Sequence, residues 1–468
     1  MYYGLDKFKE ECGVFGIYSR EKKNVGEIVY YGLYALQHRG QESAGIAYSD
    51  GEAVHLKKGM GLVGDALKRE DLDNMVGYSA IGHVRYSTTG DSNIQNAQPL
   101  LSKYKLGSIS IAHNGNLVNA DIIRELLEEA GCIFQTSIDS EVVLNLIARG
   151  YKKGIERACF DAIQAVKGSY AILLLTEDRL IAVRDPNGIR PLCIGRLGDD
   201  YILSSESCGI DAVGGEFYRD VEPGEIVVID KDGLRSYKMI ERTSLKTCSF
   251  EYIYFARPDS TIDGINVYLS RVKAGENLFK EKPCQADMVV GVPDSGTHSA
   301  VGYAKASSIP FGIGFVKNKY VGRTFIAPTQ ELREAAVSMK LNPLKVNIEG
   351  KRIVLVDDSI VRGTTMKRLI ELLRRSGAKE VHVRIASPIV KYPCYFGIDT
   401  PRRSQLIGSN LSEEEIGREL GADSIGFLSM EGLLDALESK SFCLGCFNGI
   451  YPVSAPYEAD KFMFERKE

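Results

Sequence analysis

Short apolar runs broken by Gly, Asn and Asp fill the chain from residue 12 to about 235. Residues 14–18, 53–56, 108–112, 171–175 and 225–229 read as strands. Two stretches of helical period interrupt them, at 119–130 and 140–148. Strands in runs with few helices predict layered sheets with helices outside. From about residue 285 the rhythm changes to alternating strand and helix. Residues 287–292 read as strand, 297–306 as helix, 310–315 as strand, 352–356 as strand, 364–376 as helix and 381–386 as strand. That alternation predicts a parallel sheet with right-handed crossovers. Residues 412–420 and 429–439 read as helices of a C-terminal tail. The expected fold class is an α+β layered half followed by an α/β half, with no internal repeats.

At 468 residues the chain exceeds one ordinary core, so two or more domains are expected. It is 44% hydrophobic and 26% charged, the balance of a globular enzyme. A net charge of −4 argues against a broad nucleic-acid-binding face. No run of apolar residues is long enough to span a membrane. Residues 1–11 are polar and lack the apolar core of a signal peptide. A cytoplasmic location is therefore expected. There, the ten cysteines are expected to be buried, catalytic or metal-bound, not a disulfide framework.

The densest chemistry lies at residues 352–365. An apolar run ends in Asp357 and Asp358, followed by Ser359-Ile360-Val361-Arg362-Gly363-Thr364-Thr365 and a helical pattern. Unpaired N–H groups at a helix N-terminus suit a phosphate, and the two threonines add hydroxyl donors. The two acids sit beside an anion site that they cannot themselves serve. They are suited to sugar hydroxyls or a metal. The plainer alternative is an acid that only caps a helix. Phosphate plus vicinal hydroxyls points to a ribose 5-phosphate, and the segment resembles the phosphoribosyl-pyrophosphate (PRPP) motif of type I phosphoribosyltransferases. The resemblance implies PRPP contacts from Asp357, Asp358, Ser359, Arg362, Gly363, Thr364 and Thr365. Val292-Pro293-Asp294-Ser295-Gly296 is similar to that family's pyrophosphate-side loop, which implies Mg²⁺ at Ser295, Asp357 and Asp358. Residues 317–325 are similar to its flexible loop. Lys317, Lys319 and Arg323 would cover the pyrophosphate, with Gly322 as a hinge; a solvated basic loop is the alternative.

In the first half, Cys12 opens Cys12-Gly13-Val14-Phe15-Gly16-Ile17. Alone it would read as a core thiol. With Leu36-Gln37-His38-Arg39-Gly40, Gly82-His83-Val84-Arg85-Tyr86, Ala112-His113-Asn114-Gly115-Asn116 and Ser137-Ile138-Asp139-Ser140-Glu141, it resembles the N-terminal-nucleophile glutamine amidotransferases. That resemblance implies an αββα sandwich in which Cys12, freed by removal of residues 1–11, is the nucleophile. Its own α-amine, with a reference pKa of about 8, would be the base. Asn114 and the Gly115 N–H would hold the oxyanion. Arg85 would bind the glutamine carboxylate and Asp139 its ammonium. His38, His83 and His113 are expected to be structural.

Both halves together resemble the amidophosphoribosyltransferase family, over nearly the whole chain. This implies a propeptide at 1–11, a glutaminase domain at 12–240, a transferase domain with its preceding linker at 241–405 and a helical tail at 406–468. It also implies glutamine and PRPP as substrates, purine nucleotides as feedback inhibitors and a homo-oligomer, tetramer or dimer. Two other readings remain: a non-catalytic PRPP-binding regulator, and an amidotransferase for another sugar phosphate. The first lacks an effector domain, and the acid pair disfavours the second. Cys248, Cys394 and the Cys443-Leu444-Gly445-Cys446 pair form a four-thiol set. Spacing alone fits zinc or iron–sulfur equally. Similarity to the iron–sulfur branch of the family implies a [4Fe–4S] cluster.

Overall fold

The structure, a computed structural model, describes residues 12–86, 91–239, 243–318, 341–400 and 402–454. Segment 1–11, with Lys319, Gly322 and Arg323, lies outside the described residues.

The first half consists of two antiparallel sheets packed face to face. One has seven strands in the spatial order Glu216–Asp220, Cys193–Leu197, Asp200–Ser204, Gly13–Asn24, Val76–Arg85, Ser43–Ser49 and Val54–Met60. The other has six, in the order Gly233–Lys238, Glu225–Asp230, Leu180–Arg184, Gly168–Leu175, Gly107–Leu117 and Leu100–Tyr104. Strand side chains alternate between faces, so each strand feeds two cores. Val14, Ile81, Ala112, Ala171 and Leu173 fill the layer between the sheets. Phe15 and Ile17 instead meet Val29 and Leu33 of the Val25–Ala35 helix on the outer face. Helices Ala120–Glu129, Ser140–Arg149 and Ile155–Ala165 cover the second sheet through residues such as Leu127, Val143 and Ala162. The result is the αββα sandwich expected from the sequence. Central strands are buried on both faces, which is why residues 171–175 of the Gly168–Leu175 strand read as a continuous apolar run.

The second half is a four-stranded parallel sheet in the order Met288–Gly291, Arg352–Asp357, Glu380–Ile385 and Ser424–Phe427. Val289, Val354 and Val356 face a core that includes Ala274 and Leu278 of the Val267–Glu281 helix and Ala300 and Tyr303 of the Thr297–Ser307 helix. Val290, Ile353 and Leu355 face the Thr364–Arg375 and Glu413–Leu420 helices. This is the expected phosphoribosyltransferase layout.

Two local expectations change. Residues 310–315 do not form a sheet strand. They run beside Met288–Gly291 through a single parallel bridge, Val289 to Phe311. Pro310 lacks an N–H, and Gly312 and Gly314 weaken extended pairing. Phe315–Lys317 then pairs antiparallel with Leu341–Pro343, off the main sheet. Nor is the segment after residue 405 a separate helical tail. Its Ser424–Phe427 strand completes the sheet, and Phe442–Cys443 pairs in parallel with Thr247–Cys248 of the linker. The strand was missed because Ser424-Ile425-Gly426-Phe427 is too short to show a period.

The halves share one core. Ile189 of the sandwich packs into the cluster that holds Phe250, Phe396 and Phe447. Arg184, fully buried in the sandwich, makes a two-pronged ion pair with Asp263 of the linker at 2.7 and 2.8 Å. Among the described residues no helix is long and apolar enough to cross a membrane.

Candidate active sites

Cys12 lies just before the Gly13–Asn24 strand, beside the Val76–Arg85 strand that ends in Arg85. Its Sγ donates to the Tyr86 carbonyl at 3.3 Å. Burial pushes the Cys12 thiol up to about 11, against the Tyr86 hydrogen bond and the charge of Arg85. The thiol is therefore protonated at neutral pH and needs a base to attack. Arg85 and Asp139 both act electrostatically on Cys12, so the fold gathers these three residues from far-apart segments. Arg85 is buried, and its Nη1 donates to Glu42 Oε1 at 2.8 Å. Asp139 accepts from the Leu117 N–H at 2.9 Å and from Ser140 Oγ at 3.3 Å. Burial works against its charge, yet His113 and these donors hold its carboxyl below the usual range.

Asn114 and Gly115 sit on the Gly107–Leu117 strand of the second sheet. Asn114 is buried, and its Nδ2 has no hydrogen-bond partner among the described residues. A buried N–H₂ without an acceptor costs about 1–3 kcal/mol, a cost that an acceptor placed at Asn114 would relieve. Gly115 has φ +146°, and a Cβ there would fall 2.0 Å from the Ser169 carbonyl oxygen, so only glycine fits. The three histidines near the site are held in place. Burial lowers the pKa of His83 to about 3, leaving it neutral, and its Nε2 donates to the His113 carbonyl at 2.9 Å, tying the two sheets together. His113 Nδ1 lies 3.0 Å from Ser140 Oγ and 3.6 Å from Asp139. His38 Nε2 lies 2.7 Å from Glu206. Two of them thus have acid partners that sequence proximity could not reveal.

In the second half, Asp357 ends its strand at the C-terminal edge of the parallel sheet, where ligands of such sheets bind. Asp357 and Asp358 are both buried. Asp357 Oδ1 accepts from the Asp358 N–H at 2.9 Å, and Ser359 Oγ donates to Asp358 Oδ2 at 2.6 Å. Gly363, at φ +88°, turns the chain into the Thr364–Arg375 helix, with Thr364 and Thr365 in its first turn. Loop 292–296 leaves the adjacent strand at the same edge. A Cβ on Gly296 would lie 2.5 Å from the Val356 carbonyl oxygen, so Ser295 is carried close to the acids. Lys317 pairs with Asp294 at 2.5 Å, which brings the start of the basic segment to this loop.

Cys248, Cys394, Cys443 and Cys446 all belong to the core shared by the two halves. Cys248 and Cys443 are cross-strand partners. Burial pushes the Cys248 and Cys446 thiols well up, and Cys443 and Cys394 act electrostatically on both. Cys443 is raised by burial to about 12, against a backbone hydrogen bond at Gly445. The Phe396 N–H donates to Cys394 Sγ at 3.3 Å. Main-chain donors and the nearby Arg190 cation oppose that rise without cancelling it. Among the described residues no group of three or more His, Cys, Asp or Glu side chains is arranged to hold a metal ion. That holds for the four cysteines as it does for Asp357 and Asp358.

Residues 83–212 match the glutamine amidotransferase domain family and residues 273–391 the phosphoribosyl transferase domain family. An amidophosphoribosyltransferase from Methanocaldococcus jannaschii is 50% identical over 464 residues, covering 96% of this chain and 98% of the relative. One from Bacillus subtilis is 49% identical, covering 95% and 94%. The chain belongs to the amidophosphoribosyltransferase family. Its structure is similar, with TM-score 0.91 and 48% identity, to the B. subtilis glutamine PRPP amidotransferase complexed with ADP and GMP, covering 96% of this chain and 99% of that one. A solved allosteric regulatory enzyme of purine biosynthesis gives TM-score 0.92 at 48% identity.

Two arginines that sequence reading left without a role connect the sites. Arg39 donates through Nε to the Cys12 carbonyl at 3.1 Å, through Nη1 to Glu206 at 2.5 Å and through Nη2 to Glu251 at 2.7 Å. All three charged side chains are fully buried, and Glu251 belongs to the linker. Arg271 donates to the Tyr252 and Ala256 carbonyls. Burial lowers its pKa to about 10, against the attraction of Asp358, Glu206 and Glu251. Arg39 stands inside a motif quoted above, but only folding shows that it is buried between two acids. Arg39→Ala would take the shared cation from both carboxylates, leaving Glu206 with His38, Ser260 and the Arg257 N–H and Glu251 with Arg190 at 3.6 Å, so it is expected to destabilise the protein by roughly 1.5–3 kcal/mol. An unchanged thermal midpoint would show that these charges do not hold the joint.

Proposed function

We propose that the two sites perform one reaction. Glutamine, water and PRPP yield 5-phosphoribosylamine, glutamate and pyrophosphate, the step that opens purine synthesis. The observation that carries this reading is the presence in one chain of both motif sets, each at its own site, within a family match that covers nearly the whole length.

In the glutaminase site, removal of residues 1–11 gives Cys12 a free α-amine. That amine takes the thiol proton as Sγ attacks the amide carbon, a role the buried thiol at about 11 requires. Arg85 binds the substrate carboxylate and Asp139 its ammonium. Asn114 Nδ2 and the Gly115 N–H receive the oxyanion, which supplies the acceptor that Asn114 lacks. The amine returns its proton to the departing ammonia, and water then releases glutamate from the thioester.

In the transferase site, Asp357 and Asp358 accept from the ribose hydroxyls, and Ser359, Arg362, Gly363, Thr364 and Thr365 hold the 5-phosphate. Lys317, Lys319 and Arg323 are the cations that would cover the pyrophosphate. Mg²⁺ near Ser295, Asp357 and Asp358 would neutralise charge on the departing pyrophosphate. The four cysteines would hold a [4Fe–4S] cluster that ties the linker to the C-terminal segment. Support for it is the likeness of this cysteine set to the iron–sulfur branch, together with the cross-strand pairing of Cys248 with Cys443. The B. subtilis relative was solved with ADP and GMP. Purine nucleotides are accordingly proposed as feedback inhibitors here, in a homo-oligomeric cytoplasmic enzyme.

Steady-state glutamine hydrolysis with and without PRPP tests the reading. Hydrolysis accompanied by pyrophosphate release is expected; PRPP binding without turnover would indicate a regulator. Asp357→Ala and Asp358→Ala should each weaken PRPP about tenfold or more, since a lost charge-assisted hydrogen bond costs roughly 1.5–3 kcal/mol. Unchanged PRPP kinetics in both variants would reduce the acids to structural caps.

A further inference from the structure

A segment of the transferase half lies directly on the strand that carries Asn114 and Gly115. Asn116 Nδ2 donates to the Tyr395 carbonyl at 2.9 Å. Ser169 Oγ, on the neighbouring strand, donates to the Phe396 carbonyl at 2.7 Å, and Arg190 Nη2 donates to the same oxygen. Gly397 has φ +95°, and a Cβ there would lie 3.0 Å from the Gly115 carbonyl carbon and 3.2 Å from its Cα. Gly115 also abuts Ser169, whose carbonyl oxygen lies 2.0 Å from where the Gly115 Cβ would be. The peptide is thus gripped by a strand of its own sheet and by residues 395–397 from the other half.

We propose that residues 395–397 are a positioning strap for the oxyanion site, through which the transferase half sets the aim of the Gly115 N–H. This rests on the assignment of Asn114 and Gly115 as oxyanion donors. A glycine peptide at positive φ has many alternatives open to it, and a donor works only when it is held on the developing charge. Nothing in the side chain of Gly115 can supply that restraint. The Tyr395 and Phe396 carbonyls anchor Asn116, the next residue along the strand, and Ser169, the cross-strand partner of Asn116. The Gly397 backbone closes on it directly. The strap touches neither glutamine nor PRPP chemistry and acts only through the position of that peptide.

The test uses Gly397→Ala and Asn116→Ala in the full-length active enzyme, with Asn114→Ala as reference. Asn116→Ala removes the Tyr395 anchor and guards against a Gly397 variant that fails to fold. The probe is glutamate γ-semialdehyde. Its carbonyl carbon is attacked by Cys12 Sγ, the C=O electron pair moves onto oxygen, and the thiol proton ends on that oxygen through the base. The adduct's oxygen occupies the oxyanion site. Both strap variants should bind the aldehyde about 10-fold more weakly or worse, the scale of a sub-ångström misplacement. Glutaminase kcat should fall in proportion, while glutamine KM, inhibition by glutamate and ammonia-dependent amination of PRPP stay within twofold. If Asn114→Ala keeps full aldehyde affinity, the oxyanion assignment is wrong and the strap falls with it. If Asn114→Ala weakens the aldehyde but neither strap variant does, the strap alone is overturned. Equal loss of glutaminase and ammonia-dependent activity would also overturn it, as ordinary domain packing.

Discussion

Cys12→Ala should remove glutamine hydrolysis by several orders of magnitude while leaving synthesis from added ammonia intact. The first effect follows from chemistry: without Sγ there is no covalent intermediate, and the α-amine has no thiol to activate. The second follows from architecture. Asp357 and Asp358 lie at the edge of a separate sheet, with their own strand, loop and helix. Little is lost structurally, because Cys12 contributes one hydrogen bond, to Tyr86, and its backbone anchor to Arg39 survives the substitution. The measurement is paired initial rates with glutamine and with ammonium at saturating PRPP. Loss of both rates in a folded variant would contradict two separable sites.

Ser in place of Cys248, Cys394, Cys443 or Cys446 should have the second largest effect. Protein purified without oxygen should be brown, with broad visible absorbance, and should contain iron and sulfide. Each substitution should lose iron and lower the thermal midpoint, because the thiols join segments far apart in sequence. The Thr247–Cys248 and Phe442–Cys443 strands are only two residues each, so their pairing alone is a weak tie. Catalytic residues lie elsewhere, so activity should fall with structure, and oxygen should inactivate the enzyme in the same way. A colourless protein with one zinc per chain would replace the cluster and keep the four-thiol site. Absence of both metals would leave only thiols.

Much of this architecture is legible in the sequence because its signals are local. The acids at 357 and 358, the Gly363 turn and the threonines form one strand–loop–helix unit, and a linear motif describes it fully. The Gly168–Leu175 strand is marked by the uninterrupted apolar run at 171–175 that a two-faced core demands. What stayed hidden depends on pairing across distance. The Ser424–Phe427 strand carries no period of its own and exists because Glu380–Ile385 offers it an edge. Residues 310–315 are apolar enough for a strand, but Pro310 and the two glycines prevent a ladder. Arg39 looks like any motif arginine until Glu206 and Glu251 arrive from opposite halves. The carbonyls of residues 395 and 396 could not be assigned a role from side-chain chemistry, because it is their backbone that acts.

The most direct measurement of the central claim follows the amide nitrogen. Enzyme given glutamine labelled with ¹⁵N in its side-chain amide, together with PRPP and Mg²⁺, should place that nitrogen in 5-phosphoribosylamine. Glutamate and pyrophosphate should appear in equal amounts. Label that stays in glutamine, or that reaches solution as ammonia while PRPP remains unconsumed, would contradict a single reaction carried by two sites in this chain.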